Sequence, residues 1–238
     1  MIYYLTAPVL FVQGRRVIAT TPKLPEAYGP ATGAVPGAGP PLRIAVVGES
    51  TAAGVGAERH AEALPGSLAA EVLMRTGRAA AWSVHARTGY TAAKVRRRLL
   101  DGLAEAAPDV AVVAIGVNDL LASRPLARFE RDVAGLVTGI RTAAGADVPV
   151  VLSGMPPMSR LPALPQPLRG ILGRRGRAMD RRLARVARRL PAVRHLAFDL
   201  PPDSGRFFGA DGFHPGPAGY RLWAEQCAPH VLDLAPSV

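Results

Sequence analysis

The stretch Leu42-Arg-Ile-Ala-Val-Val-Gly-Glu-Ser50 is a short apolar run that ends in a glycine, an acid and a serine. A run of this kind is typical of a strand that is buried on both faces of a parallel sheet. In open parallel sheets the ligand site lies outside the carboxyl ends of the strands, so Ser50 stands where chemistry usually occurs. Gly54 and Gly56 follow closely and give the backbone freedom to turn into a helix. The stretch therefore predicts a first strand with a candidate functional serine at its end.

Four further apolar runs alternate with longer amphipathic stretches along the rest of the chain. This alternation is typical of βαβ units arranged around a parallel sheet. We expect strands at residues 42–47, 80–85, 110–115, 148–152 and 193–198, and helices at about 61–76, 91–106, 126–143, 170–190 and 216–232. The pattern predicts an α/β fold with a five-stranded parallel sheet.

The beginning of the chain differs in composition from the rest. Residues 1–12 are apolar but too few to span a bilayer as a helix, which takes about 20 residues. A secretory signal carries positive charge ahead of its apolar part, whereas here Arg15 and Arg16 follow it. We therefore expect a retained segment that packs on the domain as a terminal helix. A lipid-surface anchor whose two arginines meet the headgroups is the alternative.

The next segment, residues 21–41, is rich in proline, glycine and alanine and shows no period. This composition predicts a linker or an extended arm that follows the surface. The remaining length is sufficient for one large core. We therefore divide the chain into an N-terminal apolar segment with its arm, residues 1–41, and one catalytic domain, residues 42–238.

The net charge of +11 comes almost wholly from arginine. Such an excess favours an anionic partner, either nucleic acid or an anionic lipid surface. Aromatic residues make up only 5% of the chain and no base-stacking platform or DNA-reading motif is present, so we expect no nucleic-acid partner. The single cysteine, Cys227, has apolar neighbours that predict a core position. We expect a cytoplasmic protein, with peripheral contact to an anionic membrane as the alternative.

Two segments before the last helix have an unusual composition. Residues 154–168 form an apolar loop with five prolines, which either lines an acyl-binding pocket as a wall or lid or simply packs on the domain. The helix that follows has an apolar face formed by Met179, Leu183, Val186 and Leu190, and its other side carries Arg181, Arg182, Arg185, Arg188 and Arg189. This charged side is either solvated or turned towards an anionic membrane.

Two candidate hydrogen-bond donors follow the second and third strands. Gly89 allows a close backbone approach, and its N–H could serve as a donor. Asn118 stands in Gly116-Val117-Asn118-Asp119, and its carboxamide is an uncharged donor for a developing oxyanion. Taken singly, each motif has a plainer explanation. Gly89 is then a turn residue, the Asn–Asp pair caps a helix, and Ser50 caps a helix or belongs to a phosphate-binding turn.

Asp211 and His214 stand three residues apart in the final loop, within Asp211-Gly-Phe-His-Pro215. This separation puts both side chains on the same side of a turn or of a helix start. An aspartate that reaches one ring nitrogen fixes the tautomer of the imidazole and leaves the other nitrogen to take a proton from a serine. The pair therefore supplies the acid and base of a candidate triad with Ser50.

The order and spacing of these motifs resemble the four blocks of the SGNH hydrolase superfamily, also called the GDSL esterase/lipase superfamily. The blocks are Gly48-Glu49-Ser50 with Gly54, then Gly89, then Gly116-Val117-Asn118-Asp119, then Asp211-Gly-Phe-His214. The resemblance covers about residues 42–232 and implies a flavodoxin-like three-layer α/β/α sandwich. The family usually has aspartate where this chain has Glu49, and we expect activity to survive because this acid is not the triad acid.

The same resemblance implies a role for each motif residue. Ser50 is the nucleophile, His214 the general acid and base, and Asp211 its orienting partner. The oxyanion hole consists of the Ser50 N–H, the Gly89 N–H and the Asn118 side chain. These roles predict a serine esterase that hydrolyses acyl esters through an acyl-enzyme intermediate.

The expected substrate is a small-molecule or lipid-like ester. The chain has no His-Glu-x-x-His motif and no cysteine-paired zinc spacing, so we expect neither a metal nor a cofactor. Two alternatives stay open. One is acyl transfer to another alcohol at the same site, and the other is a flavodoxin-like phosphate- or nucleotide-binding module built on residues 48–54.

Overall fold

A six-stranded sheet runs through the centre of the structure, a computed structural model that describes residues 2–201 and 204–236. Its strands are β1 Thr32–Val35, β2 Ala38–Gly48, β3 Arg78–Ala86, β4 Val110–Ala114, β5 Val150–Ser153 and β6 Val193–Leu196. They lie side by side in the order β1-β3-β2-β4-β5-β6. Strands β2 to β6 are parallel, and β1 is antiparallel to β3. The five parallel strands match the predicted ones within a few residues.

Strand β1 corrects the prediction of five strands. It lies in the segment 21–41, which also contains the first residues of β2. Its pairing uses the free edge of β3, with Thr32 opposite Ser83 and Val35 opposite Ala80. A four-residue strand that contains a glycine has too few side chains to show an alternating pattern. Its sequence therefore does not predict a strand.

The order of the five parallel strands places a crevice beside β2. Counted alone, they follow the flavodoxin-like order 2-1-3-4-5. The chain leaves β2 on one side to form β3 and later returns past it to form β4, so the loops that follow β2 and β4 diverge. Ligand sites of open α/β sheets lie at this kind of switch point. Ser50 follows β2 and Asn118 follows β4, so both residues border the crevice.

Helices cover both faces of the sheet. One face carries α2 Leu64–Thr76 and α8 Pro217–Leu234, and the other carries α3 Ala92–Arg98, α4 Leu103–Ala106, α6 Leu126–Ala144 and α7 Leu168–Arg189. The chain begins with α1 Ile2–Thr20, and the short helix α5 Val117–Leu121 directly follows β4. Two 3-10 turns occupy Met158–Arg160 and Ser204–Arg206. The predicted three-layer α/β/α sandwich is confirmed.

The helices confirm two of the predictions and contradict a third. The predicted helix 91–106 is interrupted between α3 and α4, where Leu99 leaves the helical conformation at a φ of −130°. Met179, Leu183 and Val186 of α7 are buried, which confirms its predicted apolar face, and Cys227 is buried in α8 as expected.

Helix α1 is longer than the apolar segment 1–12 and continues to Thr20. Its described side chains from Leu10 to Val17 include a half-buried stripe, formed by Leu10, Gln13, Gly14 and Val17, that faces the domain. Within the described residues, no helix combines the length and the apolar character needed to cross a membrane.

We predict that Gly33→Ala destabilises the edge strand. A Cβ at this position would lie 2.1 Å from Cζ2 of the Trp82 ring, so either the ring or β1 must move. Overpacking of this kind costs about 1–3 kcal/mol of unfolding free energy. Urea unfolding measures the change. The control is Thr32→Ala, an exposed position in the same strand, for which we expect a change within about 0.5 kcal/mol. Equal effects of the two substitutions would contradict the described contact between β1 and Trp82.

Candidate active site

Ser50, His214 and Asp211 are hydrogen-bonded in series at the carboxyl edge of the sheet. The Oγ of Ser50 lies 2.9 Å from Nε2 of His214, although the two residues are 164 positions apart. Nδ1 of the same ring lies 2.6 Å from Oδ2 of Asp211. Ser50 and Asp211 are buried, and the His214 side chain is about one-fifth exposed. The carboxylate thus holds one ring nitrogen while the other faces the serine hydroxyl.

The carboxylate of Asp211 also shapes the loop that carries it. Its Oδ1 accepts hydrogen bonds from the N–H groups of Phe213 and His214, each at 2.9 Å. Burial pushes the pKa of Asp211 upwards, but the hydrogen bonds from the His214 ring and from the two amides outweigh it. The net effect is a pKa below the ordinary value of an aspartate. One oxygen therefore fixes the turn and the other holds the ring.

Gly89 lies in the turn after β3 with a φ of +79°, a conformation that favours glycine. A Cβ here would meet nothing within 4 Å in the chain, so the backbone conformation is what favours glycine, and the close approach expected at this donor stays a prediction. The turn is held by Glu26 of the N-terminal arm, whose Oε1 accepts from the Thr88 N–H at 2.6 Å. In the described part of the chain, the Gly89 and Ser50 N–H groups donate to no protein acceptor.

Glu49, the residue before the serine, joins the ends of two strands. It is 2% exposed, and its Oε1 accepts from the Val117 N–H at 2.7 Å. Its Oε2 accepts from the backbone N–H of Asn118 at 2.9 Å and from the Asn118 Nδ2 at 2.5 Å. The same Nδ2 donates to the carbonyl of Tyr90 at 3.2 Å. Both hydrogens of the Asn118 amide are therefore used within the chain, and the amide links the ends of β2, β3 and β4.

The surroundings of Glu49 change its acidity. Burial raises the pKa of Glu49 to about 7, against the opposing effect of the hydrogen bonds from Asn118 and Val117, and the negative charge of Asp119 adds to the rise. Asp119 is itself buried, and its Oδ2 accepts from the Ala92 N–H at the start of α3 at 2.9 Å. Burial also raises the pKa of Asp119. Two buried acids thus fasten α5 to the neighbouring loops.

An apolar cavity opens beside the serine and the histidine. Part of its lining comes from the proline-rich loop, through Pro156, Met158 and Leu161, and the lining also includes Phe207 and Phe213. Met158 and Leu161 are buried, so the loop both packs on the domain and lines the cavity. Packing on the domain, one of the two roles expected for residues 154–168, is therefore present, and the binding of an acyl chain by the cavity stays a prediction.

The proline-rich loop is fixed near both of its ends. The Ala163 N–H donates to the carbonyl of Gly212, which lies between Asp211 and His214 in the last loop, at 3.1 Å. At the other end, Oδ1 of Asp180 accepts from the Met155 N–H at 2.9 Å and lies 3.0 Å from Nε2 of His195. The wall of the cavity is therefore positioned relative to the Asp211–His214 pair.

Sequence reasoning missed three contacts that hold the site. They are the reach of Glu49 to Asn118, the bond from Glu26 to the Thr88 amide, and the bond from the Tyr220 hydroxyl to the Val55 carbonyl at 2.6 Å. Each joins residues that are distant in sequence, and no local spacing indicates such a pair. An acid between a strand and a serine is the one signal of these contacts that the sequence carries.

Across residues 2–201 and 204–236, no three His, Cys, Asp or Glu side chains are grouped to hold a metal ion. That neither a metal nor a cofactor is needed stays a prediction.

An open α/β sheet with a serine, a histidine and an aspartate hydrogen-bonded in series at its carboxyl edge is the arrangement of a serine hydrolase. Residues 46–222 match the model of the GDSL-like lipase/acylhydrolase family. The chain belongs to this family, and the resemblance derived from its four motifs is confirmed.

One relative and two solved structures illustrate this similarity. It is 30% identical over 199 residues to a GDSL-like esterase of Mycobacterium tuberculosis, and the match covers 77% of this chain but only 60% of that relative. Among solved structures it is similar to TesA, with a TM-score of 0.63, 25% identity and coverage of 81% of this chain and 99% of the other. A lipase from a goat rumen metagenome has the same TM-score at 16% identity, with coverage of 79% and 97%, and supports the fold alone.

We predict that the stability contribution of Glu49 depends on pH. Its native pKa of about 7 lies above its ordinary value of 4.5, so the native state binds this proton more tightly than the unfolded state. The free energy of unfolding of the wild type, measured relative to Glu49→Gln, is then greatest below pH 4.5. It falls by about 3 kcal/mol as the pH rises to 7 and is constant above that. Urea unfolding at a series of pH values measures this difference, and a difference that is flat across the range would contradict the assignment.

Proposed function

We propose that this protein is a serine esterase that hydrolyses carboxylic esters through an acyl-enzyme intermediate. Ser50 is the nucleophile, His214 the general acid and base, and Asp211 the group that orients His214. The proposal depends above all on the 2.9 Å contact between the Ser50 Oγ and the His214 Nε2, with the Asp211 carboxylate 2.6 Å from the other ring nitrogen. Family membership supports the same reaction class.

The geometry supports a two-stage reaction. The Ser50 Oγ attacks the ester carbonyl carbon while Nε2 of His214 takes the hydroxyl proton, and the carbonyl oxygen becomes an oxyanion. When the intermediate collapses, the bond to the leaving oxygen breaks and that oxygen takes the proton from His214. Water then attacks the acyl-Ser50 ester with His214 as its base, which releases the carboxylic acid and restores the serine. Asp211 stays ionised and stabilises the imidazolium, in keeping with its lowered pKa.

The oxyanion is stabilised by the Ser50 N–H, the Gly89 N–H and the Asn118 side chain. The first two groups have no protein acceptor in the described residues, so they can donate to an oxyanion without giving up a bond. Asn118 must exchange one of its two existing bonds. The bond to the Tyr90 carbonyl, at 3.2 Å, is longer than the bond to Glu49 at 2.5 Å and is the one that we expect to be given up.

The apolar lining of the cavity beside Ser50 favours an acyl group over a sugar as the group that is bound. Met158, Leu161 and Phe213 offer no partner for the hydroxyl groups of a sugar. The phosphate-binding alternative is less well supported, because it assigns no role to the bonds from His214 to Ser50 and to Asp211. The preferred substrates are therefore lipid-like or small acyl esters.

We predict that Ser50→Ala abolishes turnover of p-nitrophenyl esters while the fold is retained. Removal of a triad nucleophile lowers kcat by about 10⁶-fold in a well-studied serine hydrolase. The assay is release of p-nitrophenol from a panel of esters of graded acyl-chain length, with thermal unfolding of both proteins as the control for folding. The panel also identifies the chain length that the cavity prefers.

A fluorophosphonate probe provides the complementary test. It should label the wild type at Ser50 and should not label Ser50→Ala. Turnover that survives the substitution would refute the proposal, and tight phosphate binding without labelling would support the binding module. Product analysis in the presence of a competing alcohol separates hydrolysis from acyl transfer.

A further inference from the structure

The exposed apolar side chains of this protein are concentrated on α1. Among the side chains that the structure describes, seven large apolar ones are exposed, and four of them are Val9, Phe11, Val12 and Ile18. Phe11 is 65% exposed and Ile18 is 74% exposed. A helix face turned to water normally carries charged and polar residues. We call this surface, which also carries Arg15 and Arg16, the α1 face.

The charge of the α1 face is wholly positive. Arg15 and Arg16 are both exposed, and α1 contains no aspartate or glutamate. The Arg15 guanidinium lies 5.8 Å from the centre of the Phe11 ring. Helix α7, which α1 contacts, has exposed arginines that include Arg174 and Arg177. Exposed apolar side chains beside arginines suit a surface that is anionic at its headgroups and apolar just below them.

The α1 face is attached to the wall of the candidate active site. The side chain of Gln13 donates to the Gln166 carbonyl at 2.6 Å and accepts from the Leu168 N–H at 3.2 Å. Both partners lie at the end of the proline-rich loop, whose Met158 and Leu161 line the cavity beside Ser50. A surface that binds α1 would therefore lie close to the segment that forms this cavity.

We propose that the α1 face docks on an anionic lipid surface, with Phe11 and Ile18 entering the apolar boundary and Arg15 and Arg16 bound to lipid phosphates. A second copy of this chain is the less suitable occupant. A twofold interface through α1 would bring four arginines together, and each molecule carries a net charge of +11. An anionic membrane instead attracts each arginine near its surface.

The test is sedimentation of the full-length chain with phosphatidylcholine vesicles that contain or lack phosphatidylglycerol. The Ser50→Ala background prevents hydrolysis during the measurement, so this proposal and the proposed esterase activity can fail separately. We expect binding only to the anionic vesicles, with an affinity that falls as salt is added. Arg15→Glu with Arg16→Glu should lower partitioning at least about thirtyfold, and Phe11→Ser with Ile18→Ser at least about tenfold.

A matched control is Met74→Ser on α2. Met74 is 72% exposed and lies in the helix layer on the opposite face of the sheet, so its substitution should leave partitioning unchanged. Absence of binding to anionic vesicles would overturn the proposal, as would binding that persists in Phe11→Ser with Ile18→Ser. A dimer in size-exclusion chromatography that this double variant dissociates would assign the α1 face to a second copy instead.

The buried carboxylate of Glu49 carries a second inference, which rests on the proposed oxyanion role of Asn118. Glu49 accepts three hydrogen bonds, two from Asn118 and one from Val117, and it is almost completely buried. Its bond to the Asn118 Nδ2 leaves this amide only one hydrogen for any other acceptor. We infer that Glu49 is a positioning residue that acts through Asn118, by holding the amide in the orientation in which its second hydrogen can reach the oxyanion.

A double-mutant cycle tests this inference. Asn118→Ala should lower kcat by about 10²–10³-fold, as expected for the loss of an oxyanion donor. Glu49→Gln should lower kcat by about 10- to 100-fold with little change in KM, because a misplaced catalytic group weakens only transition-state binding. In the Asn118→Ala background, Glu49→Gln should have almost no further effect.

The matched control for the cycle is Glu71→Gln. Glu71 is another buried acid, paired with Arg75 within α2. The change in kcat caused by Glu71→Gln should be the same in the wild type and in the Asn118→Ala background. If the two substitutions lower kcat by factors that simply multiply in the double variant, the positioning role is overturned. If Asn118→Ala leaves kcat unchanged, the oxyanion role of Asn118 is refuted. If Glu49→Gln fails to fold, Glu49→Asp tests the role instead. It keeps a carboxylate, so its kcat should stay near that of the wild type, and a loss as large as that of Asn118→Ala would overturn the positioning role.

Discussion

The carboxylate of Glu49 is the constraint on which the candidate site depends. It follows β2, and its hydrogen bonds reach the start of α5 after β4, while Asn118 continues the connection to the turn after β3. Burial of an acid is unfavourable unless its oxygens are hydrogen-bonded, so the loops must meet in one arrangement to satisfy it. Burial raises the pKa of Glu49 to about 7 in spite of these hydrogen bonds. The hydrogen bonds that keep this acid buried also hold the Asn118 amide.

The sheet provides the frame in which this acid can act. The strand order sends the chain to opposite sides of β2, and the resulting crevice receives the loops that carry Ser50, Asn118 and His214. The last of these loops is itself organised by Asp211, which binds two backbone amides as well as the imidazole. The proposed nucleophile, its proposed base and the proposed amide donors therefore reach one place from separate parts of the chain. Helix α1 and the proline-rich loop then cover the same end of the molecule.

Much of the fold could be predicted because its signals are local. The parallel strands are buried on both faces and appear as apolar runs, and the apolar face of α7 appears as a helical period through Met179, Leu183 and Val186. Strand β1 could not be predicted, because its four residues are extended only where β3 offers a free edge. The break between α3 and α4 also went undetected, since the apolar pattern continues through it. Gly89 was identified as a candidate donor, and its positive φ, which favours glycine, depends on the turn that the folded chain forms there.

By itself, the sequence determined the order of the strands and helices and the residue types that stand after each strand. It identified Ser50, Asn118, Asp211 and His214 as candidates because parallel strands end at a common edge, and their motifs resemble one family. Only the tertiary structure decided which atoms meet. The reach of Glu49 across to Asn118, the bond from Glu26 to the Thr88 amide, and the exposure of Phe11 and Ile18 on α1 each depend on contacts between distant segments. Such contacts are set by the packing of the whole chain, and no spacing along the sequence encodes them.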